Sequence, residues 1–334
     1  MAPLTLTRSS FEAAPPVSSF IDRTVFQTRA WLAFIAATQQ AEPVIATVLD
    51  GDLPIGRFTG AILRKNGMRI LGSPFPGWTT SYMGFNLPSG VRRAEALVAL
   101  KRFAFKVLGC MHLEVLDRLV TPDDLDAAGY RYDARPLTGF EIDLTQDEDA
   151  LLKGMDAGRR RYIRRAESSG LRIEVADDAA FANEYYAQLD DVFARQRLVP
   201  TYSLDRVRSL ITHVHPSGDL LLLRARNAQG VCIATGIFPA LNDTMVFWGG
   251  ASWKRWHHLH PNEPLQWFAM RYWKARGITR YDMGGTGEYK RAYGGREIRV
   301  PWGRASRYAA IEHLRNGART LVSLTQRLRG TQRN

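Results

Sequence analysis

The chain is organised around one glycine-rich stretch, Tyr281-Asp282-Met283-Gly284-Gly285-Thr286-Gly287-Glu288-Tyr289-Lys290-Arg291-Ala292-Tyr293-Gly294-Gly295. It follows a short β-type run over residues 278–283. Glycine lets the backbone adopt positive φ and lets a substrate approach the main chain closely. Tyr289 and Tyr293 flank Lys290 at a one-turn spacing. A flexible corner, one cation and two rings predict a wall of a substrate cleft; the alternative is a surface turn between a strand and the next element.

The elements that lead into this stretch carry clear boundary signals. Asn262 begins a predicted helix that extends to Arg276, with Pro264 in its first turn and Gly277 just beyond its end, which is where helix termini favour these residues. Hydrophobic periodicity predicts the other elements of the second half: a strand at 171–175, helices at 179–197 and 204–214, and strands at 219–226, 231–240 and 243–251.

The first half shows a similar order of elements without a sequence repeat. Its predicted elements are a helix at 22–38, strands at 42–49, 55–65 and 68–72, a helix at 92–108, a strand at 111–116 and two short strands within 130–144. Because 334 residues exceed the size at which a single core stays efficient, we expect two domains, at 20–146 and 171–307.

Three further segments complete the predicted organisation. Residues 1–19, with several prolines and serines, predict a flexible leader. Residues 147–170 predict one basic helix that links the domains and ends at Gly170. Residues 308–334 predict a basic tail, helical over 308–329, that either packs on the body or touches acidic lipid.

The net charge of +12 is a second guide to function. It favours anionic partners such as nucleotides, RNA, phosphorylated carriers or a membrane surface. No run reaches the roughly 18 apolar residues that span a bilayer, and residues 1–16 lack the pattern of a secretory signal. We therefore expect a cytoplasmic protein, with peripheral contact at the inner membrane surface as one arrangement.

The spacing of the reactive residues argues against several kinds of site. The histidines at 257, 258 and 260 fit no zinc pattern, and Cys110 and Cys232 lie far apart in sequence, so neither a metal nor a permanently bound cofactor is expected. The glycines at 285 and 287 lack the third glycine and the following helix of a dinucleotide fingerprint. The chain also lacks a Walker A sequence and a Gly-x-Ser-x-Gly elbow.

Two other segments are candidate binding surfaces. The run Arg159-Arg160-Arg161-Tyr162-Ile163-Arg164-Arg165 would be unfavourable on an isolated helix, because like charges at i and i+4 repel each other. It indicates either a surface that faces an anion or a solvated basic face. The loop at 73–88 contains Trp78 and Tyr82, which either hold the loop down as buried rings or form the rim of a binding site.

Taken together, these segments resemble the FemABX peptidyltransferases and their relatives. Residues 160–170 resemble the basic helix motif of the family, and residues 262–282 resemble its helix and strand before a Tyr-Asp-x-Gly-Gly corner. Tyr289-Lys290 with Tyr293-Gly294-Gly295 resembles its aromatic-Lys-x-x-aromatic-Gly ending. Phe26-Gln27-Thr28, Trp31 and Gly72-Ser73-Pro74 look like the broader FemAB-like or CelD-like acetyltransferases, so that the resemblance covers roughly residues 22–305.

The resemblance implies an α/β (α+β) fold of two tandem GNAT-like domains. Each domain would have a mixed, mostly antiparallel sheet flanked by helices, with the acceptor in the cleft between the domains. It also implies transfer of an acyl or aminoacyl group to an amine of a cell-envelope, polysaccharide or related small-molecule acceptor. The donor is an aminoacyl-tRNA in FemABX members and an acyl-CoA in CelD-like relatives. The chain lacks both the usual pyrophosphate loop of acetyl-CoA enzymes and the coiled-coil arm of some tRNA-using members, which leaves the donor open.

The family's catalytic lysine corresponds to Lys290, with Tyr289 beside it. A fixed cation at this place would stabilise the oxyanion that forms when an amine attacks an ester or thioester. Asp282 would orient Lys290 or accept a proton, unless it only closes the turn. The candidates for substrate binding are Arg160, Arg161 and Arg164 on the basic helix, together with Trp78, Tyr82 and Tyr293.

A second kind of function fits the same composition. High positive charge, an arginine cluster and aromatic residues are also the ingredients of single-strand binding. The alternative hypothesis is therefore a non-catalytic RNA-binding or envelope-assembly module. An acyltransferase requires a substrate cleft at Lys290, whereas the alternative does not.

Overall fold

A computed structural model describes residues 3–75, 77–133, 137–285 and 287–311. In these residues the strands are β1 (Thr5–Arg8), β2 (Glu42–Asp50), β3 (Leu53–Lys65), β4 (Met68–Ser73), β5 (Gly84–Asn86), β6 (His112–Val115), β7 (Leu137–Asp143), β8 (Arg172–Val175), β9 (Leu220–Arg226), β10 (Cys232–Leu241), β11 (Thr244–Val246), β12 (Gly249–Ser252), β13 (Arg280–Asp282), β14 (Arg296–Val300) and β15 (Gly303–Ser306). The α-helices are α1 (Arg29–Gln39), α2 (Arg93–Arg102), α3 (Pro122–Ala127), α4 (Glu148–Gly154), α5 (Ala157–Ser168), α6 (Ala180–Arg195), α7 (Leu204–Val214) and α8 (Asn262–Lys274).

The strands form two sheets with the same plan. The first has the order β1-β2-β3-β4-β6-β15, with β5 also paired to β3, and the second has the order β14-β7-β13-β11-β10-β9-β8, with β12 also paired to β10. Each sheet is antiparallel except for one parallel pair, β4 with β6 and β11 with β13. A helix connects the two strands of each parallel pair, α2 in the first sheet and α8 in the second. This repeated order confirms two mixed, mostly antiparallel domains.

The apolar residues form three buried clusters, one of which is shared by the two domains. One cluster lies on the first sheet and another on the second. The third combines α1 of the first domain with α6 and α7 of the second, and includes Trp31, Tyr185 and Trp248. Residues 44–48 of β2 are buried without alternation, as expected for a strand covered on both faces. The shared cluster places the loop after β4 against the end of β11.

The N-terminal residues differ from the predicted flexible leader. From Pro3 onward they are described, and β1 pairs with β2 in antiparallel register. Leu4 and Leu6 are buried, and so are Ala14 and Val17 further on. The prediction was wrong because the prolines and serines dominate the composition. The two-residue alternation of Leu4 and Leu6 is too short to stand out as a strand.

The predicted linking helix is two helices, α4 and α5. The chain leaves α4 at Met155, whose backbone is extended, and Asp156 then precedes α5. Arg160 donates hydrogen bonds to the carbonyl oxygens of Lys153 (3.2 Å) and Met155. The helical periodicity continues across the break, so the sequence pattern alone does not reveal it.

The predicted domain boundaries also differ from the sheet memberships. The predicted boundary at residue 146 places β7 in the first domain, but β7 pairs with β13 and β14 in the second sheet. Strand β15, near the end of the described residues, returns to pair with β6 in the first sheet. A single strand has the same alternation in either sheet, so its partner cannot be derived from its own pattern. Most of the predicted tail helix lies outside the described residues.

Candidate active site

The candidate site begins where β11 and β13 separate. These strands are paired up to Val246 and Asp282, and the Phe247 amide then donates to the Asp282 carbonyl oxygen at 2.8 Å. Beyond that point the chain continues into β12, which pairs with β10. On the other side of the opening between the strands, β13 is followed by a turn at Gly284 and Gly285, which we call the glycine corner. Gly284 has φ 62°, a conformation that glycine adopts without strain.

Lys290 closes this corner from a short 3₁₀ turn over Glu288–Tyr293. Only 8% of the residue is exposed. Its Nζ atom donates to the carbonyl oxygens of Gly284 (2.6 Å) and Gly285 (3.2 Å). Since an ammonium has three protons, one remains for another acceptor. Burial lowers the pKa of Lys290, and the nearby charge of Asp282 raises it in part.

Asp282 lies beneath the corner and is completely buried. Its Oδ1 atom accepts a hydrogen bond from the Gly284 amide at 2.7 Å. Burial raises the pKa of Asp282, while that amide, the charge of Arg118 and the hydroxyl of Tyr82 lower it. Tyr82 and Arg118 belong to the first domain, so this carboxyl is surrounded by groups from both domains.

One cleft, which we call the interdomain cleft, opens directly on Lys290. Its volume is about 280 Å³. The first domain contributes side chains from the loop after β4, and the second contributes the end of β11 and the glycine corner. The lining residues are Trp78, Thr79, Ser81, Val246, Phe247, Trp248, Met283, Gly284, Gly285 and Lys290. Two indole rings, two hydroxyls and a buried cation therefore face the same space.

A second cleft, the helix-end cleft, lies at the N-terminal end of α8 and has a volume of about 320 Å³. Apolar side chains from β10 and α8 line it together with Asn262, Gln266, Tyr289 and Tyr293. Phe247 lines both clefts. Because Tyr289 and Lys290 are consecutive, the 3₁₀ turn presents one side chain to each cleft.

Arg159 is the arginine of the basic helix that lines the helix-end cleft. It forms an ion pair with Glu263 in the first turn of α8, and its guanidinium lies 4.8 Å from the centroid of the Tyr293 ring. The charges of Arg159 and Glu263 balance each other at the entrance to α8. An incoming anion would therefore share Arg159 with this carboxylate.

The three arginines predicted to bind substrate lie elsewhere on α5. Arg160 is engaged with the end of α4, whereas Arg161 and Arg164 are exposed. Arg159 could have been found from the sequence, because Arg159, Ile163 and Ala166 share one helical face. Ile163 is the single large aliphatic residue of the run and would be expected to point inward.

The other predicted residues are distributed over the two clefts. Lys290 and Trp78 line the interdomain cleft, with Asp282 and Tyr82 buried behind them. Tyr293 is buried and Tyr289 is 49% exposed, and both line the helix-end cleft. Phe247 and Trp248 were missed, although an aromatic pair followed by Gly249-Gly250 interrupts the alternation of the predicted strand.

Metal-binding groups and membrane spans can be assessed for the described part of the chain. There, no three His, Cys, Asp or Glu side chains come together in a group that could hold a metal ion. Within the same residues, no helix has the length and apolar character needed to cross a membrane.

Comparison with known protein families gives a match in the second half of the chain. Residues 157–291, which contain Gly284, Gly285, Lys290 and all the residues that line the helix-end cleft except Tyr293, match the family described as the acetyltransferase (GNAT) domain. No curated protein sequence matches this chain significantly.

Solved structures share the fold over most of the chain at low sequence identity. FemX has a TM-score of 0.69 at 14% identity, covering 86% of this chain and 93% of its own. A tandem GNAT protein from the clavulanic acid biosynthesis pathway has a TM-score of 0.52 at 12% identity, covering 91% and 98%. L-PGS from Bacillus licheniformis has a TM-score of 0.52 at 13% identity, covering 88% and 94%.

Proposed function

We propose that this protein transfers an acyl or aminoacyl group from an activated donor to an amine held between its domains, because residues 157–291 match the acetyltransferase (GNAT) domain and most of the chain shares its fold with FemX. The observation that carries the proposal is the position of Lys290, a buried cation with one uncommitted proton on the wall of the interdomain cleft.

In this proposal the helix-end cleft holds the donor. The amides at the start of α8 and the guanidinium of Arg159 would attract a donor phosphate, and Phe238 and Phe247 would contact the acyl group. Acyl-CoA and aminoacyl-tRNA each carry both a phosphate and an acyl group, so both are candidate co-substrates. Arg161 and Arg164, on the exposed side of α5, would contact a donor larger than the cleft.

The acceptor occupies the interdomain cleft. The Trp78 and Trp248 rings would pack against its apolar face, and the hydroxyls of Thr79 and Ser81 would bind its polar groups. A cell-envelope, polysaccharide or related amine is the acceptor class we propose. The cytoplasmic location, with contact at an acidic membrane surface, belongs to the same proposal.

The reaction follows from this arrangement. The acceptor nitrogen attacks the donor carbonyl carbon, an N–C bond forms, and an electron pair moves onto the carbonyl oxygen. The uncommitted N–H of Lys290 donates to this oxyanion. Collapse then breaks the C–S bond of a thioester or the C–O bond of an ester, and the departing sulfur or oxygen takes up the proton that the amine loses.

Asp282 acts as a positioning residue in this scheme. It is completely buried and does not line the interdomain cleft. Its carboxyl holds the Gly284 amide, and the Gly284 carbonyl in turn accepts from Lys290. Asp282 therefore orients the lysine through the corner. The GNAT match favours this enzymatic function over a non-catalytic RNA-binding or envelope-assembly module.

The proposal is tested by mass spectrometry of reactions that contain a panel of amino sugars and amino acids with either an acyl-CoA mixture or charged tRNA. We expect consumption of one donor class that depends on an amine. The Lys290→Met variant should react about 100- to 1000-fold more slowly, the loss typical of removing one oxyanion donor.

Lys274→Met is the matched control. Lys274 is also partly buried and donates to a carbonyl oxygen, that of Leu144 at 2.6 Å, but it lines neither the interdomain nor the helix-end cleft. Its substitution should leave transfer unchanged. Equal rates for the Lys290→Met variant and the natural protein would show that Lys290 does not have the proposed role.

A further inference from the structure

A third cleft lies on the first domain, at the C-terminal end of α2. Its volume is about 440 Å³. One wall consists of the last turn of α2 and the turn that follows it. The opposite wall includes β15, the strand that pairs with β6 at the edge of the first sheet. The lining residues are Lys101, Arg102, Phe105, Lys106, Gly129, Arg131, Arg304, Ala305, Ser306 and Ala309. We call it the basic cleft.

The basic cleft concentrates positive charge from three separate parts of the chain. Lys101, Arg102 and Lys106 come from the end of α2, Arg131 from the segment after α3, and Arg304 from β15. None of the described residues that line it is acidic. Asp133 balances part of the charge, since its carboxylate lies 2.8 Å from the Arg304 guanidinium. Like charges this close together repel one another, and an anion in the cleft would offset that repulsion.

The helix end explains only part of this charge. Cations in the last turn of a helix interact favourably with its carbonyl groups, which accounts for Lys101 and Arg102 on α2. Arg131 and Arg304 lie on the other wall and have no such relation to α2. Cations on both walls of one cleft are the arrangement expected of an anion-binding site rather than of a helix terminus.

The backbone at the end of α2 is also unusual. The helix continues as a π turn over Phe103–Val107, in which the Leu108 amide donates to the Phe103 carbonyl oxygen at 2.9 Å. Single π turns often occur at functional sites, because the extra residue changes where the following side chains point. Here Phe105 and Lys106, both within the turn, line the basic cleft.

Lys101 is partly withdrawn from water. Its Nζ atom donates to the Gly129 carbonyl oxygen at 3.2 Å, and burial lowers its pKa. An anion in the cleft would offset this loss of hydration. The hydroxyl of Ser306, another lining residue, forms a hydrogen bond with His112 Nδ1 at 2.8 Å. The donors left for a ligand are therefore mainly the lysine and arginine side chains of the lining.

We propose that the basic cleft binds a phosphate group carried by a small molecule or by a lipid head group. A phosphate presents three acceptor oxygens, which suits guanidinium and ammonium donors arriving from two walls better than a single carboxylate does. The volume falls in the range of small-molecule sites. This site is separate from both clefts proposed for acyl transfer, so its test does not depend on that proposal.

The test uses the full chain and a double variant, Arg102→Gln with Lys106→Gln, because both side chains are exposed. The matched control is Arg208→Gln with Arg276→Gln, which removes the same charge from exposed positions of the second domain. Binding of inorganic pyrophosphate is measured by calorimetry. Binding to phosphatidylglycerol-containing vesicles is measured by co-sedimentation, with vesicles of phosphatidylcholine alone as reference. Tm verifies the folding of each variant.

We expect the cleft variant to bind pyrophosphate, the phosphatidylglycerol vesicles or both about tenfold more weakly than the natural protein, with Tm unchanged and the control variant close to the natural protein. Loss confined to vesicles would identify a lipid head group, and loss confined to pyrophosphate a soluble ligand. Because all variants share the basic tail, the comparison isolates the cleft. Equal losses in the two variants, or no binding of either probe by the natural protein, would overturn the proposal.

Discussion

Lys290 and Asp282 interact through the glycine corner that holds them both. Burial withdraws Lys290 from water and lowers its pKa, while the negative charge of Asp282 opposes that shift. The ammonium form is the one that can donate to an oxyanion. At the scale of single residues, the proposed mechanism therefore requires that Asp282 keep Lys290 protonated at the working pH.

The Asp282→Asn variant tests this dependence. Activity that requires the ammonium is present below the pKa of Lys290 and is lost as pH rises through it. Asparagine keeps an oxygen for the Gly284 amide but removes the charge that raises the pKa of Lys290. We expect the decline of kcat at high pH to occur at lower pH in the variant, with Tm nearly unchanged. A decline at the same pH as in the natural protein would contradict the coupling.

At the scale of elements, the arginines of α5 have different surroundings, one at a cleft and one at the end of the preceding helix. Arg159 faces the helix-end cleft and Arg160 holds the end of α4. Arg164 points away from both. Adjacent residues on a helix differ in direction by about a quarter turn, so neighbouring arginines of one basic run have different surroundings.

Three single substitutions on α5 separate these roles. Arg159→Gln should raise the KM for the donor and also lower the free energy of unfolding, because it leaves the buried Glu263 carboxylate without its ion-pair partner. Arg160→Gln should lower the free energy of unfolding by about 1 kcal/mol, because it removes hydrogen bonds from a charged donor to backbone carbonyls. Arg164→Gln is the exposed comparison: it should leave the free energy of unfolding unchanged and raise the KM for the donor less than Arg159→Gln does. Urea unfolding and donor kinetics measure both effects, and a higher donor KM in Arg164→Gln than in Arg159→Gln would reverse the assignment.

Much of this element structure could be predicted from the sequence. The glycines, the helix with Pro264 near its start and the alternating strands mark their own boundaries through local chemistry. The corner at Lys290 could be predicted for the same reason. The inward direction of Arg159 could be predicted from the position of Ile163. The break between α4 and α5 at Met155 could not be predicted, because the helical periodicity continues through it.

At the scale of the whole molecule, the two domains are built from exchanged strands around a shared core. Strand β7 pairs in the second sheet and β15 in the first, and α1 packs against α7 in the shared cluster. These relations depend on contacts between residues far apart in sequence. No local pattern encodes them, which is why the predicted boundary at residue 146 assigned β7 to the wrong sheet.

A fragment that ends at residue 146 should therefore not fold alone. It would carry β7 without its partners β13 and β14, and β6 would lack β15. We expect weak near-ultraviolet circular dichroism and rapid amide exchange in β6. Co-expression with residues 147–334 should restore protection, since every partner strand is then present. A stably folded, protected fragment 1–146 would show that the exchanged strands are not required for the first domain.

The proposed function depends most directly on what Lys290 does during the reaction. The decisive measurement is the single-turnover rate of the Lys290→Met variant at saturating donor, with the Kd of the donor determined alongside. We predict a rate about 100- to 1000-fold lower than that of the natural protein and a Kd within about threefold, because the lysine contacts the oxyanion and not the bound donor. An unchanged rate, or a loss explained entirely by a weaker Kd, would contradict the role of Lys290 in stabilising the transition state.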